Sequence, residues 1–206
     1  VIESAKTVAL SSIEKAVEPR NGYITVFNSL SWERNVIVKL PSGYTSVYDE
    51  DGKPLRCQEI DGEVYAKLNA PSCGAKTYKA GNESAAEGIV TEQTILENSL
   101  IKAVFNQLGE LISLVDKTNS MEYIKEPSNI FRMYRNAPTV FDAWDIDSFY
   151  EKLEVGSHED IEVRTLYKGE LVSALRITQK LNKSKIVQIV KLYENSKRLD
   201  FDTEID

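Results

Sequence analysis

The sequence predicts an all-β protein with a single N-terminal helix, and three observations carry that reading. From Tyr23 onward apolar residues recur with a period of two inside short runs rich in Val, Ile, Tyr and Phe. Those runs are divided by turn chemistry such as Pro41-Ser42-Gly43, Asp49-Glu50-Asp51-Gly52 and Asp61-Gly62. Four longer alternating runs then fill the last part of the chain.

Residues 1–17 are the exception to the two-residue period. Ile2, Ala5, Ala9, Ile13 and Ala16 fall at three- and four-residue spacings, with Glu3, Lys6, Glu14 and Lys15 off that face. Pro19 stops this helix and Asn21-Gly22 turns the chain. One amphipathic helix whose apolar stripe finds no partner helix downstream reads as the last helix of a bundle in a longer protein, assigned to residues 1–18. Residues 19–80 read as a small antiparallel sandwich, with strands at Tyr23–Asn28, Asn35–Leu40, Thr45–Tyr48, Leu55–Ile60, Glu63–Leu68 and Lys76–Ala80. Asp61-Gly62 is a two-residue hairpin turn, because a type I′ turn needs positive φ at both central positions. Trp32, after Asn28-Ser29-Leu30-Ser31, is expected to anchor the packing of this unit.

Residues 81–88, Gly-Asn-Glu-Ser-Ala-Ala-Glu-Gly, are small and polar and read as a linker. Residues 89–206 form the second region. It opens with a hairpin, Leu100–Phe105 and Leu111–Val115 around Gly109, followed by a short strand from Met121 to Ile124. After an aromatic and acidic stretch come strands at Ile161–Lys168, Leu171–Leu181, Lys185–Glu194 and Leu199–Ile205. In the last, Leu199, Phe201, Thr203 and Ile205 alternate with Asp200, Asp202, Glu204 and Asp206, the pattern of a half-buried strand with one wet face. Ending on such an edge again suggests a piece of something larger.

Composition narrows the function. Over 206 residues, 28% charged and 42% hydrophobic side chains describe a soluble globular chain. The net charge of −7 argues against nucleic acid or an anionic membrane as partner. No apolar run is long enough to span a bilayer and no signal peptide opens the chain. Cys57 and Cys73 are too few for a disulfide framework and are expected to be free buried thiols, which points to a reducing, cytoplasmic setting. His158, the only histidine, lies in Gly156-Ser157-His158-Glu159-Asp160 and reads as a solvated loop residue. With it alone, neither a zinc site, which needs three or four ligands, nor a Ser-His-Asp or Cys-His arrangement can be assembled. No cofactor is expected in this chain.

One stretch remains as a site. Phe141 to Tyr150 places Asp142, Asp145 and Asp147 among four aromatic rings, Trp144 included, within ten residues. An aromatic face covers the apolar side of a pyranose, and carboxylates accept its hydroxyl hydrogen bonds. Core rings and turn-forming aspartates are the structural alternative. A pair of carboxylates for glycoside hydrolysis needs a defined separation, which five residues of irregular chain do not supply. Arg132 and Arg135 stand close enough in sequence to pair with these aspartates.

Several segments, in order along the chain, resemble the α-mannosidases of glycoside hydrolase family 38, in the branch of bacterial and cytosolic members. They are Val26-Phe27-Asn28-Ser29-Leu30-Ser31-Trp32-Glu33-Arg34, Asn98-Ser99-Leu100 through Phe105 with Gly109 to Lys117, Phe141 to Asp147, and Arg198 to Asp206. The resemblance implies a small sandwich followed by the first portion of a β-supersandwich of the galactose-mutarotase type. It further implies a retaining, zinc-dependent hydrolase of terminal α-mannosides whose zinc ligands, nucleophile and acid/base belong to a barrel preceding this chain. This chain alone is then expected to be inactive and to pack on that barrel and its helical bundle, with homo-oligomerisation left open. It would support the active-site wall, with Trp144, Asp145, Asp142 and Asp147 as candidate sugar contacts. The competing classes are a stand-alone carbohydrate-binding sandwich and a structural or dimerisation module, the latter favoured by a fully buried Trp144.

Overall fold

Alternating side chains give each strand an apolar and a polar face, and burial of the apolar faces assembles the strands into sheets. The computed structural model describes residues 2–16, 20–60, 62–83, 86–87, 94–141, 144 and 146–206. The chain divides into two units, Val1–Glu87 and Gly88–Asp206.

The first unit opens with α1 (Ile2–Ala16), whose Val8 is 67% exposed. It continues with β1 (Tyr23–Asn28), β2 (Arg34–Lys39), β3 (Ser46–Tyr48), β4 (Cys57–Ile60), β5 (Glu63–Ala70), β6 (Gly74–Gly81) and β7 (Ala86–Glu87). One sheet runs β1-β6-β3 and the other β2-β5-β4-β7. All pairs are antiparallel except β4 with β7, so the segment read as a linker carries a short parallel strand. On β5 the side chains Val64, Ala66, Leu68 and Ala70 are buried and the alternate ones half-buried. Val64, Ala66 and Leu68 meet Leu40, Val47 and Tyr78 in a core that draws on both sheets. The Tyr78 hydroxyl, buried there, donates to Asn69 O at 2.6 Å and accepts from Asn69 N at 3.0 Å. In the β4–β5 turn Gly62 stands at φ +77°, the sign the hairpin reading requires there, and Asp61 lies outside the described residues.

Trp32 does not anchor this unit. It is 59% exposed, and the turn is held instead by buried Asn28, whose amide donates to Trp32 O at 2.7 Å and Pro71 O at 2.9 Å. A side chain that satisfies turn carbonyls directly leaves the indole no structural task. The cysteines also depart from expectation: Cys57 is half-buried, but Cys73 is exposed, at φ +43° in the turn before β6.

The second unit contains β8 (Ile95–Glu97), β9 (Ile101–Phe105), β10 (Leu111–Asp116) and β11 (Met121–Glu122), ordered β11-β10-β9-β8. Its other sheet is an antiparallel meander, β12 (His158–Lys168), β13 (Val172–Leu181), β14 (Ser184–Tyr193) and β15 (Leu199–Ile205). Leu96, Ile101, Ala103, Phe105 and Leu111 from the first pack with Leu175, Ile177, Val190 and Leu192 from the second. Each fully buried aliphatic side chain here contributes about 1.5–3 kcal/mol. His158 begins β12 rather than sitting in a loop, and its Nδ1 lies 2.6 Å from Gln179 Oε1. On β15 the register puts Phe201 and Ile205 opposite Val190 and Ile186, yet they are 42% and 60% exposed. The half-buried expectation fails there, because only Leu199 among the apolar residues of this strand packs against the core.

A polar clasp joins the two sheets at one end. Asn98 donates to Tyr193 O and Ser196 O, each at 2.8 Å, and accepts from the amides of Leu100 and Ile101. Lys197 Nζ reaches buried Asp116 Oδ2 at 2.7 Å and Thr118 Oγ1 at 2.8 Å. The Lys197 ammonium and then the Thr118 hydroxyl hold the Asp116 carboxyl down at about 2, from an ordinary 3.8. A carboxylate depressed on folding adds stability above its unfolded value, and that stability fades as pH falls from about 4 toward 2. Acid unfolding of the 206-residue chain followed by circular dichroism is therefore expected to begin at higher pH in Lys197→Met than in the parent chain. Coincident acid transitions would show that the clasp does not couple to folding.

Gly109 gives a second check. It sits at φ +78°, and a Cβ there would lie 2.5 Å from Ile177 Cγ2 in the core. Gly109→Ala combines left-handed backbone strain with overpacking and is expected to cost roughly 2–4 kcal/mol. Urea unfolding midpoints measure this.

Candidate functional site

The chain between β11 and β12 crosses from one sheet of the second unit to the other, and Asn129 fixes where it does so. Its backbone takes φ +62°, and its amide donates to Gly109 O at 2.9 Å and to Gln188 Oε1 at 2.8 Å. Gln188 is buried on the core face of β14 and passes a further bond from Nε2 to Thr203 Oγ1 at 2.9 Å. Beside Asn129, Ser128 pairs with Leu111 through two backbone bonds of 2.9 and 3.1 Å. The crossing is thus tied to β10, to the β9–β10 turn and to β14.

Beyond it the backbone makes an excursion with a closed neck. Arg135 N donates to Leu153 O at 2.9 Å and Val155 N to Met133 O at 2.8 Å. The rings of Tyr134 and Tyr150 meet edge to face, centroids 5.1 Å apart, at the start of a 3-10 turn over Tyr150–Leu153. Such a ring pair adds about 0.5–1.5 kcal/mol to its area burial. Arg132 pairs with Glu154 at 4.0 Å rather than with any described aspartate of the stretch. Its guanidinium is held in the charged form by the Tyr134 hydroxyl first and Glu154 second.

Above the neck, Asp147 closes the tip. Its Oδ2 accepts from Thr139 N at 2.7 Å and from Thr139 Oγ1 at 3.0 Å. Phe141 stands at φ +59°, a conformation a bulky L residue adopts only when its surroundings impose it, and Trp144 N donates to Phe141 O at 2.9 Å. The tip so held presents Val140, Phe141, Trp144 and Ile146 outward, with Trp144 91% exposed and Phe141 71%.

Of the two candidate sugar contacts among the described residues, Trp144 is exposed and Asp147 combines a half-buried position with structural bonds to Thr139. Asp142 and Asp145 lie outside the described residues. Tyr134, Thr139 and Asn129, which build the support, are not legible from local pattern, since each acts through a partner distant in sequence. The exposure of Trp144 also removes the observation that would have favoured a purely structural or dimerisation module. Among the described residues no three or more His, Cys, Asp or Glu side chains are grouped to hold a metal ion. The sequence resemblance implies zinc ligands outside this chain, and no chemistry through a metal is assigned to the described residues. Among the described residues no helix is long and apolar enough to cross a membrane.

Residues 96–206 match the family model described as glycosyl hydrolases family 38 C-terminal domain. Among solved structures the chain is similar to the crystal structure of an alpha-mannosidase from Enterococcus faecalis V583, with a TM-score of 0.62 and 13% identity. That likeness covers 97% of this chain and 32% of the other, so this chain spans about a third of its length, and at such identity it is a likeness of fold. No curated protein matches the sequence.

The tip has its own check. Asp147→Ala removes two bonds at about 1 kcal/mol each and is expected to raise the rate of limited proteolysis between residues 139 and 147 about tenfold or more. The global unfolding midpoint should stay unchanged. A parallel fall in that midpoint would place Asp147 in the cooperative core instead.

Proposed function

The chain belongs to the family of glycosyl hydrolase family 38 C-terminal domains, and from that premise we propose that it is the non-catalytic β-region of a retaining, zinc-dependent α-mannosidase acting on terminal α-mannosides. The zinc and the reacting carboxylates belong to a catalytic part that this chain does not supply, against which the chain packs. Its contribution to the site is one wall, formed by the tip of the excursion. The observation that supports this reading is Trp144, 91% exposed between Thr139 and Asp147, which are bonded to each other. Exposed Trp144 with Val140, Phe141 and Ile146 forms an apolar surface that a ligand or partner can cover, and a pyranose face is such a ligand. Asp147, and Asp142 and Asp145 of the same stretch, would accept hydroxyl hydrogen bonds around the stacked ring. The unpaired thiols of Cys57 and Cys73 support a reducing, cytoplasmic setting.

A stand-alone carbohydrate-binding sandwich would use the same indole, and one experiment separates the two. In the full-length enzyme, Trp144→Ala is expected to lower kcat/KM for an aryl α-mannoside roughly three- to tenfold, the loss of one stacking contact of about 0.5–1.5 kcal/mol. The 206-residue chain alone should show no hydrolysis, with or without added zinc. Turnover by the chain alone would overturn the assignment of catalysis elsewhere. Unchanged kinetics in Trp144→Ala would remove the indole from the sugar site.

A further inference from the structure

We propose that the outer edge of β15 is a docking site for an extended peptide segment, added to the sheet as a further strand and alternating apolar with basic residues. β15 ends the meander β12-β13-β14-β15, and among the described residues no strand pairs with its other side. The ladder to β14 decides which groups that side offers. Lys185 and Asp206 exchange both backbone bonds, Lys185 N to Asp206 O and Asp206 N to Lys185 O, each at 3.0 Å. Bonded and unbonded pairs alternate along an antiparallel ladder. Asp200, Asp202 and Glu204 therefore turn their backbone to β14, and Phe201, Thr203 and Ile205 turn their N–H and C=O groups outward. Among the described residues no backbone partner meets those outward groups.

The two edges of this sheet differ. β12 pairs with β13 through two breaks of register, at Glu159/Glu162 and Thr165/Tyr167, the kind of irregularity that deters strand addition. β15 pairs with β14 in unbroken register over Leu199–Ile205 and contains no proline. Two of its outward-bonding residues also border a cleft. Phe201 and Thr203, together with Leu111 and Phe131, line a space of about 470 Å³ whose described lining carries no charged side chain. Neighbouring strands lie about 4.8 Å apart, so alternate side chains of an added strand fall beside Phe201 and Thr203, where this cleft takes apolar groups. Backbone bonds supply affinity in such an arrangement, and the cleft selects the side chains. On the opposite face Asp200 pairs with Arg198, Asp202 pairs with Lys191, and Lys185 stands across from Asp206. Glu204 has no ion pair among the described residues, and a cation on that face of the added strand would meet it. A second copy of the same edge would bring carboxylates instead of cations to this face, which favours the basic segment as occupant. Neither Trp144 nor the tip takes part, so the site is independent of the sugar contact.

The test uses the 206-residue chain and an end-capped peptide alternating lysine with leucine, followed by amide chemical shifts and amide hydrogen exchange. Saturable binding is expected, with exchange at Phe201, Thr203 and Ile205 slowed about tenfold or more and exchange along β12 unchanged. The same peptide N-methylated throughout cannot donate backbone bonds and should bind about tenfold or more weakly, as should one with its lysines and leucines in separate blocks. Ile205→Pro deletes one outward N–H at an exposed position without removing a bond to β14, and is expected to weaken binding about tenfold. Glu204→Lys should reverse the preference between the lysine peptide and its glutamate counterpart. Unchanged dispersion of the spectrum shows that both variants fold. Equal binding of the N-methylated peptide, protection along β12 instead, undiminished affinity in Ile205→Pro, or an unchanged preference in Glu204→Lys would each overturn the proposal. So would protection of the same three amides that grows with the concentration of the chain alone, which assigns the edge to a second copy.

Discussion

The half-buried amide of Asn129 is the interaction on which the second unit's architecture turns. A chain leaving β11 must reach the opposite sheet at β12, and a crossing exposes backbone polar groups that need partners. Asn129 answers that need by bonding the β9–β10 turn on one side and Gln188 on the other. Gln188 then extends the chain of bonds to Thr203 on β15. Gln188, the buried member, is tolerated there only because its amide is satisfied on both sides, and among the described residues no buried side-chain polar atom lacks a partner. The aromatic tip inherits its position from this crossing, since the neck formed by Met133, Arg135, Leu153 and Val155 follows directly from it.

Much of the fold was legible because strand alternation is a local signal. β1, the hairpin around Gly109 and the four-stranded meander follow from period two and from turn residues that accept positive φ. β7 and β8 were not anticipated, since two or three residues carry too little periodicity to be read. The errors share a cause. Trp32, Cys73, Phe201 and Ile205 were assigned to cores on chemical grounds, but burial depends on what lies opposite, which is set by residues far away in sequence. The aromatic stretch stands out by composition, whereas Asn129 acts through Gly109 and Gln188, far away in sequence, and the Thr139–Asp147 bond, though local, follows no periodic pattern. Arg132 was read against the aspartates that follow it and instead meets Glu154, a partner delivered by the returning neck.

The two units solve the same problem of sandwich closure with different devices. The first relies on single polar side chains inserted into turns, Asn28 among the carbonyls around β1 and Tyr78 on the backbone of Asn69. The second uses a charge-assisted clasp, with Lys197 and Asp116 beside the neutral side-chain bonds of Asn98. The Asn28 bonds involve no titratable group, whereas the Lys197–Asp116 pair does.

β15 has a consequence for how the molecule behaves in bulk solution. It is an edge strand whose apolar side chains Phe201 and Ile205 stand exposed, while Asp200, Asp202, Glu204 and Asp206 alternate with them. An apolar edge alone would template the addition of another strand, and a row of like charges opposes that by repulsion between identical edges. The carboxylates therefore act as colloidal gatekeepers for their own apolar neighbours. Asp200 and Asp202 also pair with Arg198 and Lys191, so repulsion at this edge falls mainly to Glu204 and Asp206, and concentrated salt lowers the barrier to self-association there.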